Sequence, residues 1–393
     1  MKRREFLSTA AAAGAALSLP RVSCGAASAS AASTARRDFG FAHRVSPAAS
    51  PSPSGIRLLI LIELKGGNDG LNTVVPFADP LYFRLRPGLA MRRDAVLPLD
   101  ERSALHPALQ PLMPLWQSGQ LAIVQGLGYP QFNLSHFRAM EIWDTASDAQ
   151  QYLREGWIAR ASAAAPQGGA MNGAAGGANL MFSHAGRGPL AGAACRALTS
   201  MPPAHDAASV ELAARPLNTL FPSDAFGSSL RLATQAIAAA SRAERCAAAG
   251  GNPAVVRVTL NGFDTHANQR QRHAMLLAQF AHGVVALRAA LRELGRWDDA
   301  LVLTCSEFGR RPRENDSGGT EHGTSAPHFV MGGRVRGGLY GAPPALSQLD
   351  GNGNLPMSVD FRCLYASVLA HGWRCDAAAV LGRRFDTLPL WRV

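Results

Sequence analysis

Lysine is almost absent from this chain of 393 residues, although its formal net charge is +11. The two lysines are Lys2 and Lys65, and the arginines are dispersed along the sequence. A nucleic-acid-binding protein usually carries its basic residues as a stripe with interleaved aromatic side chains. We therefore expect no nucleic-acid partner, while a diffuse positive field could still draw small anionic substrates toward a cleft.

Cysteine pairs and a nucleotide-binding signature are also missing. None of the six cysteines forms a Cys-x-x-Cys pair, which disfavours a structural zinc knuckle. Cys363 and Cys375 are the only close pair, and the sequence leaves their bonding open. The Gly-rich segment 66–70 lacks the Gly-Lys-Ser/Thr ending of a P-loop, so nucleotide binding is disfavoured as well.

Residues 1–35 have the pattern of an export signal and its cleavage region. Lys2, Arg3 and Arg4 form a charged start, and residues 8–19 form an Ala-rich apolar stretch with no polar face. The adjacent arginines followed by Phe-Leu favour the twin-arginine export machinery as a partner. The apolar stretch is short for a membrane span, so we expect no stable span in the mature chain. The expected location is the periplasm or the exterior.

Composition divides the remainder of the chain. Residues 36–55 are rich in Ala, Ser and Pro and predict a flexible tether. Residues 56–393 predict one folded domain, with an Ala/Gly-rich insertion near 161–180. An Ala-rich helix is expected from Ser228 to Ala248.

Short apolar runs bounded by Gly, Pro, Asn or Asp predict β-strands. They cover Leu58 to Leu64, Leu121 to Val124, Ala254 to Leu260, Leu301 to Leu303 and Phe329 to Met331. Apolar residues recurring at steps of three and four predict a long helix from Leu277 to Leu294. A strand, a helix and a strand in succession form a right-handed unit with parallel strands. We therefore expect an α/β fold, with a mostly parallel central sheet and helices on both faces.

Carboxylates, imidazoles and one hydroxyl follow or flank these strands. In open α/β sheets, ligands bind outside the carboxyl ends of the strands, so distant residues can converge there. Such a residue set suits a borderline divalent cation such as zinc or manganese. The segments are Gly67-Asn68-Asp69-Gly70, Asn133-Leu134-Ser135-His136, Phe263-Asp264-Thr265-His266, Ser306-Glu307-Phe308-Gly309-Arg310 and Thr320-Glu321-His322-Gly323.

Three of these segments have a structural alternative at a helix start. Asp69 could cap the helix after its tight turn. Asp264 could be an N-cap with His266 merely exposed. Ser135 could cap a helix starting at His136, and His136 is a poor base for Ser135 because adjacent side chains diverge.

The later acidic and histidine residues also have alternatives. Glu307 could be a satisfied partner of Arg310 rather than a ligand. A lone histidine in a Gly-rich loop, such as His322, is more often structural. His273 and His282 lie along the long helix, and we expect both to be surface residues.

The segments together resemble a known bacterial family, that of domain of unknown function 1501, over almost the whole chain. That family is itself similar to the alkaline phosphatase and sulfatase superfamily. The resemblance implies an alkaline-phosphatase-like α/β sandwich with a two-metal site at the strand ends. The residues that carry it are the twin-arginine start, Glu63 to Asn72, Ser135-His136-Phe137, Gly262 to His266, Ser306 to Arg310 and Gly318 to Gly323.

The resemblance also implies roles for single residues. Ser135 corresponds to the nucleophile, and Arg310 could pair with an anionic substrate through its planar fork. The implied cofactor is a divalent metal, with zinc first and manganese, magnesium or calcium as alternatives. The implied metal ligands are Asp69, Asp264, His266, Glu307 and His322.

The sequence departs from the superfamily in two places. Phe308 follows Glu307 where a metal-binding histidine is usual, so one of the two metal sites is in doubt. Ser135-His136-Phe137-Arg138 lacks the proline of the sulfatase motif, which disfavours a sulfatase. The expected function is an exported metal-dependent hydrolase of small anionic esters, phosphoric or related. The alternative is a non-catalytic periplasmic binding or scaffold protein on the same fold.

Overall fold

The central strand of the fold is a continuous apolar run at the start of the expected domain. In the computed structural model, which describes residues 55–164, 179–183, 194–197, 216–246 and 253–392, this run forms strand β1, Leu58–Lys65. Seven of its eight residues are buried, as expected for a strand covered on both faces. The expected signal, the tether up to residue 54 and residues 165–178 of the insertion lie outside the described residues.

The remaining strands complete one large sheet and two small ones. They are β2 Val74–Val75, β3 Leu97–Pro98, β4 Ala104–Leu105, β5 Leu121–Gly128, β6 Asn179–Ser183, β7 Ala194–Ala197, β8 Ala254–Asn261, β9 Ala300–Cys305, β10 Arg310–Glu314, β11 Thr320–His322, β12 Ala326–Met331, β13 Gly338–Tyr340 and β14 Val359–Asp360.

Helices connect and cover these strands. The α-helices are α1 Pro80–Leu85, α2 Met113–Gln117, α3 His136–Thr145, α4 Trp157–Ala164, α5 Ala225–Cys246, α6 Gln269–Glu293, α7 Arg362–Ser367 and α8 Ala377–Leu381. Short 3₁₀ turns lie at Gly70–Asn72, Arg93–Ala95, Pro107–Leu112 and Trp297–Asp299, and a π turn at Val368–Gly372.

The large sheet is mostly parallel. Its order is β13, β5, β12, β9, β1, β8, β6 and β7, and β14 also pairs with β5. Strand β1 runs parallel to β8 and to β9, with Leu58 opposite Ala254 and Ala300. Strand β12 is antiparallel to its neighbours β5 and β9. The expected α/β fold with a mostly parallel central sheet is therefore confirmed.

Alternate residues of β1 belong to two separate cores. Leu58 and Ile60 pack in one core with residues of α5 and α6, such as Phe280. Leu59 and Leu61 pack in the other, which includes residues of α3 and α7. Because side chains alternate along a strand, helices cover both faces of the sheet, as expected.

Helix α6 contains the expected apolar stripe and begins eight residues earlier than the stripe. By length and mean hydropathy, 1.5 over 18 residues, it could also cross a membrane, but half of that stretch is buried inside the protein. His282 is exposed as expected, whereas the expectation for His273 is wrong. His273 is buried, its Nε2 lies 2.9 Å from Asn68 Oδ1, and burial lowers its pKa to about 4.

The structure shows the bonding state of two cysteines that the sequence left open. Cys363 and Cys375 are both free and partly buried. Burial raises the pKa of each thiol. In the structure this pair does not form a disulfide.

The register of the sheet brings three chain segments to one edge. β1, β8 and β9 run parallel side by side, so the loops that follow them begin together. These loops start at Gly66, Gly262 and Ser306. They carry all three carboxylates expected at the site, Asp69, Asp264 and Glu307, and one of the two histidines, His266.

Candidate metal centre

Three histidines and one aspartate converge at this edge. His266 Nε2 lies 3.0 Å and His322 Nε2 3.3 Å from Asp264 Oδ1. The two Nε2 atoms are 3.0 Å apart, and His136 Nε2 lies 3.6 Å from Asp264 Oδ2. Single ligand atoms of His136, Asp264 and His322 all lie within 4.8 Å of one another. Among the described residues this is the group of metal-ligating side chains that could hold an ion.

The separations between these ligand atoms suit one tetrahedral cation. Zinc binds imidazole nitrogen at about 2.0–2.1 Å, which puts two ligands of a tetrahedral site about 3.3 Å apart. The observed separations from Asp264 to the three Nε2 atoms run from 3.0 to 3.6 Å. The set of His136, Asp264 and His322 therefore fits a zinc ion, and His266 Nε2, 3.0 Å from Asp264 Oδ1, is a candidate fourth ligand.

The second nitrogen of each imidazole contacts a hydrogen-bond acceptor. Metal-binding histidines usually donate this N–H to a carboxylate or a backbone carbonyl, which fixes the ring and leaves the other nitrogen free for the metal. The contacts are His136 Nδ1 to Glu307 Oε1 at 3.3 Å, His266 Nδ1 to Glu321 Oε2 at 3.1 Å and His322 Nδ1 to Leu134 O at 2.9 Å. All three Nε2 atoms face Asp264.

The charge state of the centre is compatible with a bound cation. Burial raises the pKa of Asp264, but the hydrogen bond and charge of Arg310 outweigh it, so this pKa is lowered. Burial lowers the pKa of His322. An Asp264 carboxylate held ionised by Arg310 thus lies beside the three imidazole Nε2 atoms, and a cation bound among them would be stabilised by its charge.

Glu307 is a buried carboxylate that contacts His136 of this centre. It is fully buried, and the backbone N–H groups of Gly66 and Gly67 donate to its carboxylate at 2.9 and 3.0 Å. Gly66 has φ +121°, and a Cβ there would come 2.2 Å from Asp264 N, so glycine is required. The Glu307 carboxylate is turned to these amides and to His136, and the expectation that it is a metal ligand stays a prediction.

Asp69 is paired with a buried arginine. It is fully buried, and its Oδ1 accepts from Arg86 Nη2 at 2.9 Å and from Leu71 N at 3.2 Å. Its Oδ2 accepts from Arg86 Nη1 and from Gln269 Nε2. Burial alone would raise the pKa of Asp69, but the charge and hydrogen bonds of Arg86 outweigh this effect, so the pKa is lowered. Both oxygens of Asp69 thus accept hydrogen bonds from protein groups, and its assignment as a metal ligand stays a prediction.

The guanidinium group of Arg310 also makes its hydrogen bonds to groups of the protein. Its side chain is buried, and each of its three nitrogens donates to a protein oxygen. The acceptors are Gly67 O at 2.8 Å, Thr320 O at 2.8 Å, Phe263 O at 3.2 Å, Gly66 O and Asp264 Oδ1. The guanidinium therefore joins three loops and holds Asp264 in place. Glu307, the alternative partner, is not among these acceptors, and the expected role of Arg310 with substrate stays a prediction.

Ser135 is exposed at the start of α3. It occupies the N-cap position, yet its side chain makes no capping hydrogen bond. The residue before it, Leu134, accepts from His322, and the residue after it is His136. Both neighbours of Ser135 in the chain thus contact the centre. Its role as a nucleophile stays a prediction.

His136 is a candidate metal ligand that the sequence did not indicate. It was considered only as a base for Ser135, and its position in the same short segment was the available signal. Phe308, the residue that departs from the superfamily pattern, is buried against it. The Phe308 ring centroid lies 5.0 Å from that of His136 and 4.6 Å from that of His322. The Phe308 ring therefore packs against two imidazoles of the centre. It occupies the position in the sequence where the superfamily usually has a histidine ligand of a metal.

The protein is thus an α/β protein with a His₃Asp group at the strand ends. The family described as Protein of unknown function (DUF1501) matches residues 202–378, which include Asp264, His266, Glu307 and His322. Over this stretch the family resemblance expected from the sequence is confirmed. No curated protein matches the chain.

Solved structures of low sequence identity are similar to the chain. The C-terminal periplasmic domain of EcEptC from Escherichia coli is 9% identical, with 87% of this chain and 92% of that one covered and a TM-score of 0.39. The same domain in complex with Zn is 9% identical, with 71% of this chain and 73% of that one covered and a TM-score of 0.38. Ps i-CgsB in complex with k-i-k-neocarrahexaose is 10% identical, with 85% of this chain and 73% of that one covered and a TM-score of 0.37.

Proposed function

We propose that the protein is an exported, metal-dependent hydrolase of phosphoric or related esters. The observation that carries the proposal is the orientation of the three imidazoles. Each has Nδ1 on an acceptor and Nε2 directed at Asp264. Three independent contacts that leave three nitrogens facing one carboxylate are the arrangement of a metal site.

The donor set favours zinc among the candidate metals. Imidazole nitrogens suit zinc, whereas magnesium and calcium prefer all-oxygen sites. A bound zinc ion would polarise an ester oxygen and lower the pKa of a nearby hydroxyl group. His136, Asp264, His266 and His322 would hold it, Glu307 would orient His136, and Arg310 would orient Asp264.

Ser135 is the group proposed to attack the ester. Its place at the N-terminus of α3 favours negative charge, because the first backbone N–H groups of a helix carry partial positive charge. A hydroxyl that makes no capping hydrogen bond remains available to a substrate. An anionic ester bound there would receive the same N–H groups.

The alternative, a periplasmic binding or scaffold protein, has a specific observation in its favour. Asp69 and Arg310, both expected to act on substrate or metal, are fully used in buried structural contacts. Among the described residues, the ligands that remain form one group. A protein with this one centre could bind an anion without turning it over.

The metal is tested first, by elemental analysis of the full-length protein and of His136→Ala and His322→Ala. Both variants are expected to lose zinc. His282→Ala is the matched control, because His282 lies exposed on α6. Glu307→Gln should keep the fold and weaken zinc binding by about 10–100-fold, since supporting groups of this kind have that effect. Wild-type zinc content in His136→Ala would overturn the centre.

The chemistry is tested next, with phosphomonoesters, phosphodiesters and sulfate esters in parallel. Ser135→Ala should abolish turnover and leave the zinc content unchanged. Full activity in Ser135→Ala would rule out the serine as nucleophile. No turnover of any ester by the zinc-loaded wild type, together with anion binding that survives Ser135→Ala, would favour the binding protein.

A further inference from the structure

A large cavity adjoins the metal centre. Its volume is about 1150 Å³, and His136, Asp264 and Glu307 contribute to its lining. Sites for small molecules typically measure about 300–1,000 Å³ and bury most of the ligand. The cavity is therefore large enough for a substrate that extends well beyond the group at the metal.

Apolar side chains contribute to the lining of this cavity. They include Phe137, Met140 and Ile158, from helices α3 and α4. Phe137 directly follows the metal-centre residue His136, and 90% of its surface is exposed. Exposed apolar side chains beside a polar centre favour binding of an apolar group, because covering them removes apolar area from water.

The cavity also contains a lysine beside the centre. Lys65 lines it and is the last residue of β1, with its side chain exposed. Its carbonyl oxygen accepts from Gly262 N at 3.2 Å and Phe263 N at 3.0 Å, the residues just before Asp264. The backbone therefore fixes Lys65 beside the loop that carries Asp264. No described residue pairs with its ammonium group.

The other cations near the centre are less suitable for a substrate anion. Arg310 is buried in contacts with loop carbonyls. Arg257 lines the cavity, but its Nη1 lies 3.0 Å from Glu63 Oε1 and also contacts Asp144. Arg154 is exposed on the segment between α3 and α4. Lys65 is the cavity cation that is both unpaired among the described residues and bonded to the Asp264 loop.

We infer that the substrate is an ester of an aryl or similarly bulky apolar alcohol. Its anionic group is bound by Lys65, and its apolar group packs against Phe137 and Met140. This inference rests on the proposed function, because it takes the adjoining centre as the site of ester cleavage. It assigns to Lys65 the role that the sequence had suggested for Arg310.

The test measures binding of two non-hydrolysable probes, phenylphosphonate and methylphosphonate, to the zinc-loaded full-length protein by calorimetry. Phenylphosphonate should bind about 10–100-fold more tightly, the effect of burying one aromatic ring. Phe137→Ser should reduce that ratio and leave methylphosphonate binding unchanged. Lys65→Met should weaken both probes by about tenfold or more, the effect of losing one charge-assisted hydrogen bond.

Two further variants complete the test. Lys65→Arg should restore much of the binding that Lys65→Met loses. Arg336→Met is the charge-matched control, because Arg336 is exposed next to β13 and does not line the cavity. Its affinity for both probes should equal that of the wild type. Every variant is first shown to hold as much zinc as the wild type.

The outcomes separate this inference from the proposed function. Unchanged binding in Lys65→Met, an equal loss of both probes in Phe137→Ser, or no preference for the phenyl probe would overturn the inference. Phenyl phosphate and methyl phosphate are assayed for turnover in parallel. Cleavage of both at equal efficiency would leave the hydrolase intact and overturn the substrate class. Binding as expected without any cleavage would support the pocket and overturn the hydrolase.

Discussion

Replacing Asp69 by asparagine should destabilise the fold without removing the metal. Asp69 and Arg86 are both fully buried, and the pair is joined through both carboxylate oxygens. Removing one partner of a buried ion pair costs about 3–5 kcal/mol, because the other charge is left uncompensated. The free energy of unfolding of Asp69→Asn should fall by that amount. If Asp69 were a ligand instead, the main loss would be in zinc affinity.

Arg86→Met should have a similar effect from the other side. Beyond Asp69, Arg86 donates to Pro312 O at 2.7 Å and Arg311 O at 3.0 Å, so it also joins α1 to β10. The substitution leaves these carbonyls without their donor, as well as a buried carboxylate. We expect a loss of about 3–5 kcal/mol here too. The double variant Asp69→Leu/Arg86→Met should recover much of it, because it leaves no unpaired charge.

The assay is urea unfolding followed by tryptophan fluorescence, with zinc affinity measured separately under native conditions. The pKa of Asp69 is lowered in the folded state, because Arg86 outweighs the opposing effect of burial. Its contribution is therefore complete above the unfolded pKa, about 3.9, and is lost as the pH falls through the folded value. Wild-type stability together with lost zinc in Asp69→Asn would refute this reasoning.

The remaining predictions concern the centre itself. Zinc affinity should fall as the pH is lowered, because protons compete with the metal for the imidazole nitrogens. The lowered pKa of His322, caused first by its burial, keeps this ligand neutral further into the acid range. Competition titrations test this, and a pH-independent affinity would contradict histidine ligation. Gly66→Ala should destabilise the protein more than Gly295→Ala, because both have positive φ but only Gly66 approaches Asp264. Thermal unfolding compares them, and equal losses would show that strain alone matters.

The sequence predicted the parts of the fold that depend on local pattern. The buried strand β1 was visible as a continuous apolar run, and α6 as an apolar stripe. Asp264 and His266 were placed at this edge because residues that follow neighbouring parallel strands meet there. His322 also lies there, but it is the last residue of β11 in the small antiparallel sheet and comes within reach through the β10–β11 hairpin.

The parts that the sequence did not predict depend on partners far away in the chain. Asp69 carries the residue type of a ligand, and nothing near it in sequence reveals that Arg86 occupies both of its oxygens. The burial of His273 likewise comes from contacts with residues distant in the chain, His106, Phe263 and Asn68, which its position on the helix does not reveal. The sequence did not predict a metal-binding role for His136, because the chemistry of its segment was assigned to the neighbouring hydroxyl of Ser135.

The centre joins parts of the chain that are distant in sequence. His266 and His322 are 56 residues apart, and His136 is 171 residues from its partner Glu307. A bound ion would therefore act as a cross-link that closes long loops, and its binding would be coupled to folding of the whole sheet edge. At a free metal concentration about 1,000 times the dissociation constant, that coupling is worth about 4 kcal/mol. Resistance to unfolding in this protein should consequently vary with the metal supply of its surroundings.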